Sequence, residues 1–433
     1  MIKQDNESKK ISFSAIVFII YSFYYISGYS SKIHNYVIFA LFTLWILISS
    51  IENKKIFLKS ISTKSFIFLL MFLIYYFVTS FFVAPVGYIL EYIGVFLFLY
   101  SLTFQSRYYI YKRNKYEIKL LISAVIIAFS IFSLNAIRFY IMVPSAARTL
   151  ASNYYAFDNI AIGGGYSIAF GSSVLFVYFF ELIIRKEPII KRHKLKIMLL
   201  LIILGILILK TESTITILST LIGAIVAILI KLYNGNIGYI TKNTNNKKVR
   251  KVFTIVILIF TFSFLIFNTQ NISFKLINIT NDKVDSVVAR RINRMAQKIY
   301  YTSIGVSYNN YVDIRLNTVK DSWNVFLSHP LLGIGYKCGN IFSELEEHGV
   351  GTHSELTDLF AQHGIIGGLF WILFIITAIK NNHSKANSYL VSLLIMMILN
   401  PFKTFHGYCV LLFVIPLINY LINNINLEDR NEQ

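Results

Sequence analysis

The sequence predicts an all-α, polytopic membrane protein, and three observations support this class. Of the 433 residues, 56% are apolar or aromatic and only 14% are charged, and the mean hydropathy is +0.61. The charges lie in narrow strips between long apolar runs, whereas a water-soluble chain of this length would form two or three domains with charged surfaces. A bilayer core of about 30 Å is crossed by roughly 20 apolar helical residues, and many runs approach this length. Soluble multidomain enzymes are therefore excluded.

About twelve apolar runs are expected to be transmembrane helices. They lie at 11–29, 35–51, 65–83, 86–104, 118–137, 161–184, 197–209, 213–230, 252–267, 357–379, 386–399 and 408–425. The seventh and eleventh runs are short, so the sequence does not define where these two helices begin and end. The first run could in isolation be a signal peptide, but the absence of a small-residue cleavage site after it favours a retained anchor.

The distribution of basic residues predicts the orientation. The chain has 41 Lys and Arg against 21 Asp and Glu, a net charge of +20. If both termini are cytoplasmic, most of these cations fall in alternate, inner loops, as expected of a membrane protein. The short outer loops then contain only Lys32, Arg138, Arg148, Lys210 and Lys403. Topology therefore explains the charge, and we expect no nucleic-acid partner.

One outer connection is far longer than a link between two helices requires. It divides the chain into spans 1–9 (1–269), a large extracytoplasmic loop (270–356), and spans 10–12 with a cytoplasmic tail (357–433). The first part of the loop is basic and the last part acidic. The two parts could simply pair with each other, but a loop of this size usually carries function.

Two amphipathic helices are predicted inside this loop. The first covers 287–299, where Arg290 or Arg291 together with Arg294 project to one side. Such a cluster could snorkel towards anionic lipid. It could equally clamp phosphate, because the planar guanidinium binds phosphate oxygens in bidentate fashion.

The second predicted helix covers 312–327, with Trp323 on its apolar stripe and Arg315 on the flank of that stripe. Pro330 ends this helix. Arg315 can therefore be held near the membrane surface while its guanidinium faces a cavity.

These residues form part of an ordered set of motifs. Arg315 and Trp323 are followed by Pro-Leu-Leu-Gly-Ile-Gly at 330–335, then by His353-Ser354 before a span, then by Gly-Ile-Ile-Gly at 364–367. The order resembles the signature of the bacterial O-antigen polymerase and O-antigen ligase superfamily. In that family an Asn follows the His, where this chain has Ser354.

A second likeness lies near the sixth run. Ser-Ala-Ala-Arg at 145–148, a Tyr pair at 154–155 and Gly-Gly-Gly-Tyr at 163–166 resemble an outer loop of capsule and O-antigen repeat-unit polymerases. Many ligases carry an Arg after a Ser near the outer end of a middle span. The comparable segment here, 211–214, reads Thr-Glu-Ser-Thr. The resemblance therefore favours a polymerase over a ligase.

The resemblance implies a GT-C-like membrane glycosyltransferase in the bacterial cytoplasmic (inner) membrane. Its donor and its acceptor would both be undecaprenyl-diphosphate-linked oligosaccharides. The protein would lie in the lipid bilayer, and a chain-length regulator could bind to it. As the glycosidic bond breaks, negative charge builds on the diphosphate, and fixed cations favour that transition state without a metal or other cofactor. The residues expected to bind the diphosphate are Arg148, Arg290, Arg291 and Arg294.

The catalytic residues are expected to be His353 and Arg315. The acceptor hydroxyl must lose a proton, and a His side chain, with a reference pKa of about 6.5, suits a general base. Three carboxylates in the same loop remain rival bases, namely Glu344, Glu346 and Glu347.

Other functions remain as alternatives. A ligase would pass the lipid-linked glycan to a different acceptor. A polysaccharide transporter or flippase would need a polar path at mid-bilayer, commonly between paired halves, and no repeated halves are visible. A non-catalytic scaffold for surface-polymer assembly is a third alternative.

Two smaller features have both structural and functional interpretations. His363 with Gly364 and Gly367 is typical of a tight helix crossing. Glu181 lies within or beside a span, where an ionisable group indicates function unless it reaches the end of the span and water.

Overall fold

The structure is a computed structural model that describes most of the chain. The described residues are 10–26, 32–81, 86–142, 156–157, 160–161, 165–211, 213–235, 269–281, 287–304, 311–335, 354–380, 387–399 and 405–431. Regular structure in these ranges is helical except for one strand pair. Strands β1 (Ala156–Phe157) and β2 (Ile160–Ala161) are antiparallel, with Phe157 opposite Ile160.

The helices follow one another closely along the chain. In the first half they are α1 (Phe13–Ile26), α2 (Lys32–Glu52), α3 (Lys54–Ile61), α4 (Lys64–Ser80), α5 (Val86–Lys112), α6 (Lys115–Met142), α7 (Gly165–Arg185), α8 (Pro188–Lys210) and α9 (Thr214–Gly235). In the second half they are α10 (Thr269–Asn281), α11 (Val287–Ser303), α12 (Tyr311–Ser328), α13 (Glu355–Lys380), α14 (Ser388–Leu399), α15 (Phe405–Cys409) and α16 (Ile415–Asn431). A π-helical turn, Val410–Val414, joins α15 to α16.

Four described helical stretches are long and apolar enough to cross a membrane. They are Lys115–Ile141, Ile168–Arg185, Glu355–Lys380 and His406–Asn424. A fifth span results if α3 and α4, which meet at 61°, count as one. Four shorter apolar stretches lie at Phe13–Tyr24, Tyr36–Glu52, Ile215–Lys231 and Ser388–Leu399.

The predicted helical membrane class is thus confirmed, whereas the number of twelve spans stays a prediction. Eleven of the twelve predicted runs coincide with helices. The ninth run, 252–267, lies outside the described residues.

The outer surfaces of several helices are apolar. Large side chains that are more than half exposed include Phe39, Ile74, Ile127, Leu199 and Leu221. In water an apolar surface of this extent would promote aggregation, but against lipid tails it needs no partner. These faces support a position in the membrane.

The core is centred on the final helical stretch. The side chains of the π-helical turn are completely or almost completely buried, and Phe413 stacks on Phe18 with 4.2 Å between ring centroids. Trp371 of α13 donates a hydrogen bond from Nε1 to Tyr100 Oη of α5 (2.5 Å). The last helix therefore joins the two ends of the chain into one core.

Glu181 has a structural role at the junction of α7 and α14. One carboxylate oxygen accepts hydrogen bonds from the backbone N–H groups of Asn387 and Ser388, both at 2.8 Å, and from Ser388 Oγ at 2.6 Å. Arg185, one turn later in α7, pairs with the other oxygen at 2.5 Å. Glu181 therefore caps α14, which satisfies backbone donors that a helix start leaves open.

Candidate functional site

Two of the three arginines of α11 lie on the exposed side of a helical hairpin. Helix α11 packs along α10 through the buried Ala289 and Ala296. Arg290 and Arg294 are both exposed and, being four residues apart, share one face of α11. The predicted basic stripe is therefore present, and it faces away from α10.

Helix α12 places one face against the start of α13. Ser322 is buried, and the ring of Phe326 lies 5.5 Å from that of Phe360 in α13. Trp323 is 44% exposed, so the predicted apolar stripe is only partly covered. Position 315 lies two turns before Ser322 on the same face, about 10 Å along the axis at 1.5 Å per residue.

A buried carboxylate connects the two helices. Asp358 is 2% exposed. Its Oδ1 accepts a hydrogen bond from Ser322 Oγ at 2.6 Å, and its Oδ2 accepts one from the backbone N–H of Ser354 at 3.2 Å. Asp358 is thus hydrogen-bonded both to Ser322 of α12 and to Ser354, the residue before α13.

Ser354 is the N-cap of α13. Its Oγ accepts a hydrogen bond from the backbone N–H of Thr357 at 3.2 Å, three residues later, and donates one to the carbonyl of Met397 in α14 at 3.4 Å. Ser and Asn are about equally good N-caps. The departure from the family's His-Asn pair is therefore conservative, because either residue can start this helix.

The two glycine motifs meet where α13 is interrupted. Gly364 adopts φ +59° and ψ −167°, a conformation that breaks the helix and that is essentially restricted to glycine. The segment 330–335 docks against the break. The Ile334 N–H donates to the carbonyl of Ala361 (3.0 Å), and the Gly335 N–H donates to that of Gln362 (2.8 Å).

Hydrogen bonds also run in the opposite direction across this contact. The Ile365 N–H donates to the carbonyl of Pro330 at 2.8 Å. The carbonyls of Leu332 and His363 both accept from the hydroxyl of Tyr75 in α4, each at 2.9 Å. Backbone groups freed by the break thus find new partners, as burial requires. We call this contact, 330–335 against 361–366, the glycine interlock.

The backbones in the glycine interlock approach too closely for side chains. A Cβ added to Gly333 would lie 2.5 Å from the backbone of Gln362, and one added to Gly364 would overlap the carbonyl of Leu331. At Gly367 an added Cβ would lie 2.6 Å from Tyr75. The predicted tight crossing is present, and its glycines serve structure.

His363 belongs to this packing. It is completely buried, and its ring meets the rings of Phe72 and Tyr76 edge-on, with centroids 5.0 and 5.4 Å away. The aromatic contacts fix α13 against α4.

Several predicted site residues lie outside the described residues. For His353, Arg148, Glu344, Glu346 and Glu347 this holds for the whole residue, and for Arg315 and Arg291 it holds for the side chain. Their roles remain predictions. In the described part of the chain, no group of three or more His, Cys, Asp or Glu side chains is arranged to hold a metal ion.

The sequence interpretation missed Asp358, Ser322 and Tyr75. Asp358 lies in the first turn of α13, where acidic residues are common. Nothing in the spacing indicates Ser322 as its second partner, because the two residues are 36 positions apart.

Taken together, these features indicate a multi-pass, α-helical membrane protein in which α12 and the turn after it are hydrogen-bonded to the long apolar helix α13. Residues 197–372 match the model of a family described as O-antigen ligase. This match begins within α8 and ends within α13, so it contains α10 to α12 and the glycine interlock. No protein of curated function matches the chain.

The family match confirms the resemblance to the O-antigen ligase and polymerase superfamily. Members of this family are membrane glycosyltransferase-like enzymes. The match supports an O-antigen-related membrane enzyme, and polymerase and ligase activities fit it equally.

Proposed function

We propose that the protein polymerises undecaprenyl-diphosphate-linked oligosaccharide repeat units at the outer face of the bacterial cytoplasmic membrane. The observation that supports a reaction centre is the hydrogen bond from Ser322 to Asp358. It holds the face of α12 that includes position 315 against the entry of α13, and His353 directly precedes that entry. This contact supports the proposal that Arg315 and His353, the two catalytic candidates of the motif, act in one region.

In the proposed reaction, a hydroxyl of the incoming repeat unit attacks the anomeric carbon of the growing chain. His353 takes the hydroxyl proton as the new C–O bond forms. The old bond from the anomeric carbon to the diphosphate breaks, and its electron pair stays on the diphosphate oxygen. The growing chain is then attached to the newly arrived lipid carrier, and the free lipid diphosphate is released.

Helices α11 and α13 differ in the charge of the side chains that they contribute. Arg290 and Arg294 present guanidinium groups on the exposed face of α11, with Arg291 beside them in the sequence. By contrast, the first turn of α13 contains the buried carboxylates Glu355 and Asp358, which disfavour an anion there. We therefore assign the diphosphate to the arginines, with Arg315 nearest the transferred sugar and Arg148 in support.

Polymerase and ligase share this donor chemistry and differ in the acceptor. The polymerase assignment is supported by the likeness of 145–148 and 163–166 to polymerase loops and by the lack of an Arg at 211–214. The second candidate is a ligase, which fits the family match equally well.

A reconstitution experiment tests the proposal. The purified full-length protein in lipid bilayers is given a lipid-diphosphate-linked repeat unit as the sole sugar substrate, and products are separated by length. We expect a ladder of glycans from the wild type and none from His353→Ala or Arg315→Ala at equal amounts of inserted protein.

Each other outcome contradicts part of the proposal. Products that form only after a second acceptor is added would identify a ligase. Movement of the intact lipid-linked unit across the bilayer without new bonds would identify a flippase. Normal ladders from either variant would remove that residue from the mechanism.

A further inference from the structure

We propose that Asp358 is a positioning residue for the sugar transfer, because it orients the peptide that joins His353 to Ser354. The inference rests on the proposed function, in which His353 is the base. It concerns a residue that the family motif does not single out.

The argument begins with the planarity of the peptide bond. The N–H of Ser354 and the carbonyl of His353 belong to one rigid plane, which also contains both Cα atoms. Asp358 Oδ2 accepts the hydrogen bond from this N–H at 3.2 Å. This hydrogen bond therefore restrains the peptide group on the N-terminal side of Ser354, and the proposal is that the restraint acts on His353, the preceding residue.

Asp358 makes more hydrogen bonds than the capping of α13 requires. The first turn of α13 is already capped by Ser354 Oγ, which accepts from the Thr357 N–H at 3.2 Å. Asp358 adds a bond to Ser322 in α12 at 2.6 Å, and Ser354 adds one to Met397 in α14 at 3.4 Å. The residue after His353 is thus tied to three helices.

The same contacts relate the base to the cations. Ser322 shares its face of α12 with position 315, so Asp358 bonds on one side to the helix of Arg315 and on the other to the peptide of His353. A side chain in this place can set the distance between the proposed base and the proposed cation. Loss of such positioning lowers kcat, since a misplacement of about 1 Å can cost roughly 100-fold.

The test compares Asp358→Ala, Asp358→Asn and a matched control in the reconstituted full-length protein. The control is Glu181→Ala, which removes a buried carboxylate that caps α14 through three hydrogen bonds. The probe is the lipid-diphosphate-linked repeat unit extracted from the source bacterium, and kcat, KM and thermal stability are measured.

We expect Asp358→Ala to lower kcat by about 10- to 100-fold, the range typical of residues that orient a reacting group, with an unchanged KM for the donor. Asp358→Asn should show an intermediate kcat, because its amide oxygen still accepts from the Ser354 N–H but without the charge. Glu181→Ala should lose stability while its kcat stays near that of the wild type.

His353→Ala, measured in parallel, separates this inference from the proposed function. Normal turnover by His353→Ala would refute the proposed function itself. An inactive His353→Ala beside a fully active Asp358→Ala would overturn only the inference, as would equal losses of kcat in Asp358→Ala and Glu181→Ala. If Asp358→Ala does not accumulate, Asp358→Asn decides, and a wild-type kcat in that variant overturns the inference.

Discussion

Gly333 and Gly364 meet backbone to backbone, with 2.5 Å between the place of a Cβ on Gly333 and the nitrogen of Gly364. Both have positive φ, +68° and +59°. One lies in the turn after α12 and the other inside α13. The pair therefore joins the turn after α12 to the long apolar helix α13 through a direct contact of the two backbones.

The first prediction concerns this pair. Gly364→Ala should destabilise the protein and reduce the amount inserted in the membrane, because the conformation costs about 1–3 kcal/mol in strain for a non-glycine residue and the methyl group overlaps the Leu331 carbonyl. Thermal unfolding in detergent measures the effect. Gly94→Ala in α5 is the control, since an added Cβ there meets nothing within 4 Å; equal stability of both variants would contradict the prediction.

The second prediction concerns Tyr75. Tyr75→Phe removes the hydroxyl that donates to the carbonyls of Leu332 and His363. Of these two carbonyls only that of His363 belongs to a buried residue, so the loss corresponds to about one net hydrogen bond, about 0.5–1.5 kcal/mol, and we expect a lower melting temperature. Tyr36→Phe serves as the control because Tyr36 is 72% exposed. A melting temperature that does not change in Tyr75→Phe would show that the hydroxyl contributes nothing to the glycine interlock.

The third prediction distinguishes a diphosphate clamp from a lipid-anchoring helix. Arg290→Ala and Arg294→Ala should raise the KM for the lipid-diphosphate donor. Arg294→Lys should restore it only partly, since an ammonium cannot bind phosphate in bidentate fashion. Lys275→Ala on α10, another exposed cation of the hairpin, should leave KM unchanged. Equal effects of all these substitutions, or complete rescue by Lys, would instead support general attraction to anionic lipid.

The fourth prediction tests the orientation of the chain. Asn317 lies on the exposed side of α12, so Asn317→Cys, in a background with Cys338→Ser, should react with a membrane-impermeant thiol reagent added outside intact spheroplasts. The remaining cysteine, Cys409, is buried and serves as the unreactive background. Labelling only after the membrane is opened would place α12 in the cytosol and refute the proposed function.

The loop helices could be predicted closely because their periodicity is local. The predicted 312–327 and 287–299 correspond to Tyr311–Ser328 and Val287–Ser303 in the structure. Apolar residues at helical spacing and a following Pro330 were enough to define α12. Both helices end within a few residues of the predicted bounds, which is the usual uncertainty of helix ends.

The glycine interlock could not be predicted, because its two halves are far apart in the sequence and its cause is backbone geometry. The sequence reads Gln-His-Gly at 362–364, but the surrounding residues are apolar enough that 357–379 is predicted as one continuous span. Only the motif glycines indicated a close contact, and they did not indicate its partner. Asp358 was missed for the same reason, since its bond to Ser322 depends on how α12 packs.

The glycine interlock also fixes how far along α13 the turn after α12 reaches. Gly364 lies nine residues after the start of α13, about 14 Å along its axis, so the turn that follows α12 descends beside a helix long enough to cross the bilayer. Non-helical backbone beside a membrane span needs hydrogen-bond partners from the protein, and α13, Tyr75 and Ser80 supply several of them here. Helix α12 is thereby held at a fixed position along the axis of α13. For the lipid-linked substrate of the proposed function, whose phosphates would lie at the headgroup level, this fixed position would bring α12 and the diphosphate to the same level of the membrane.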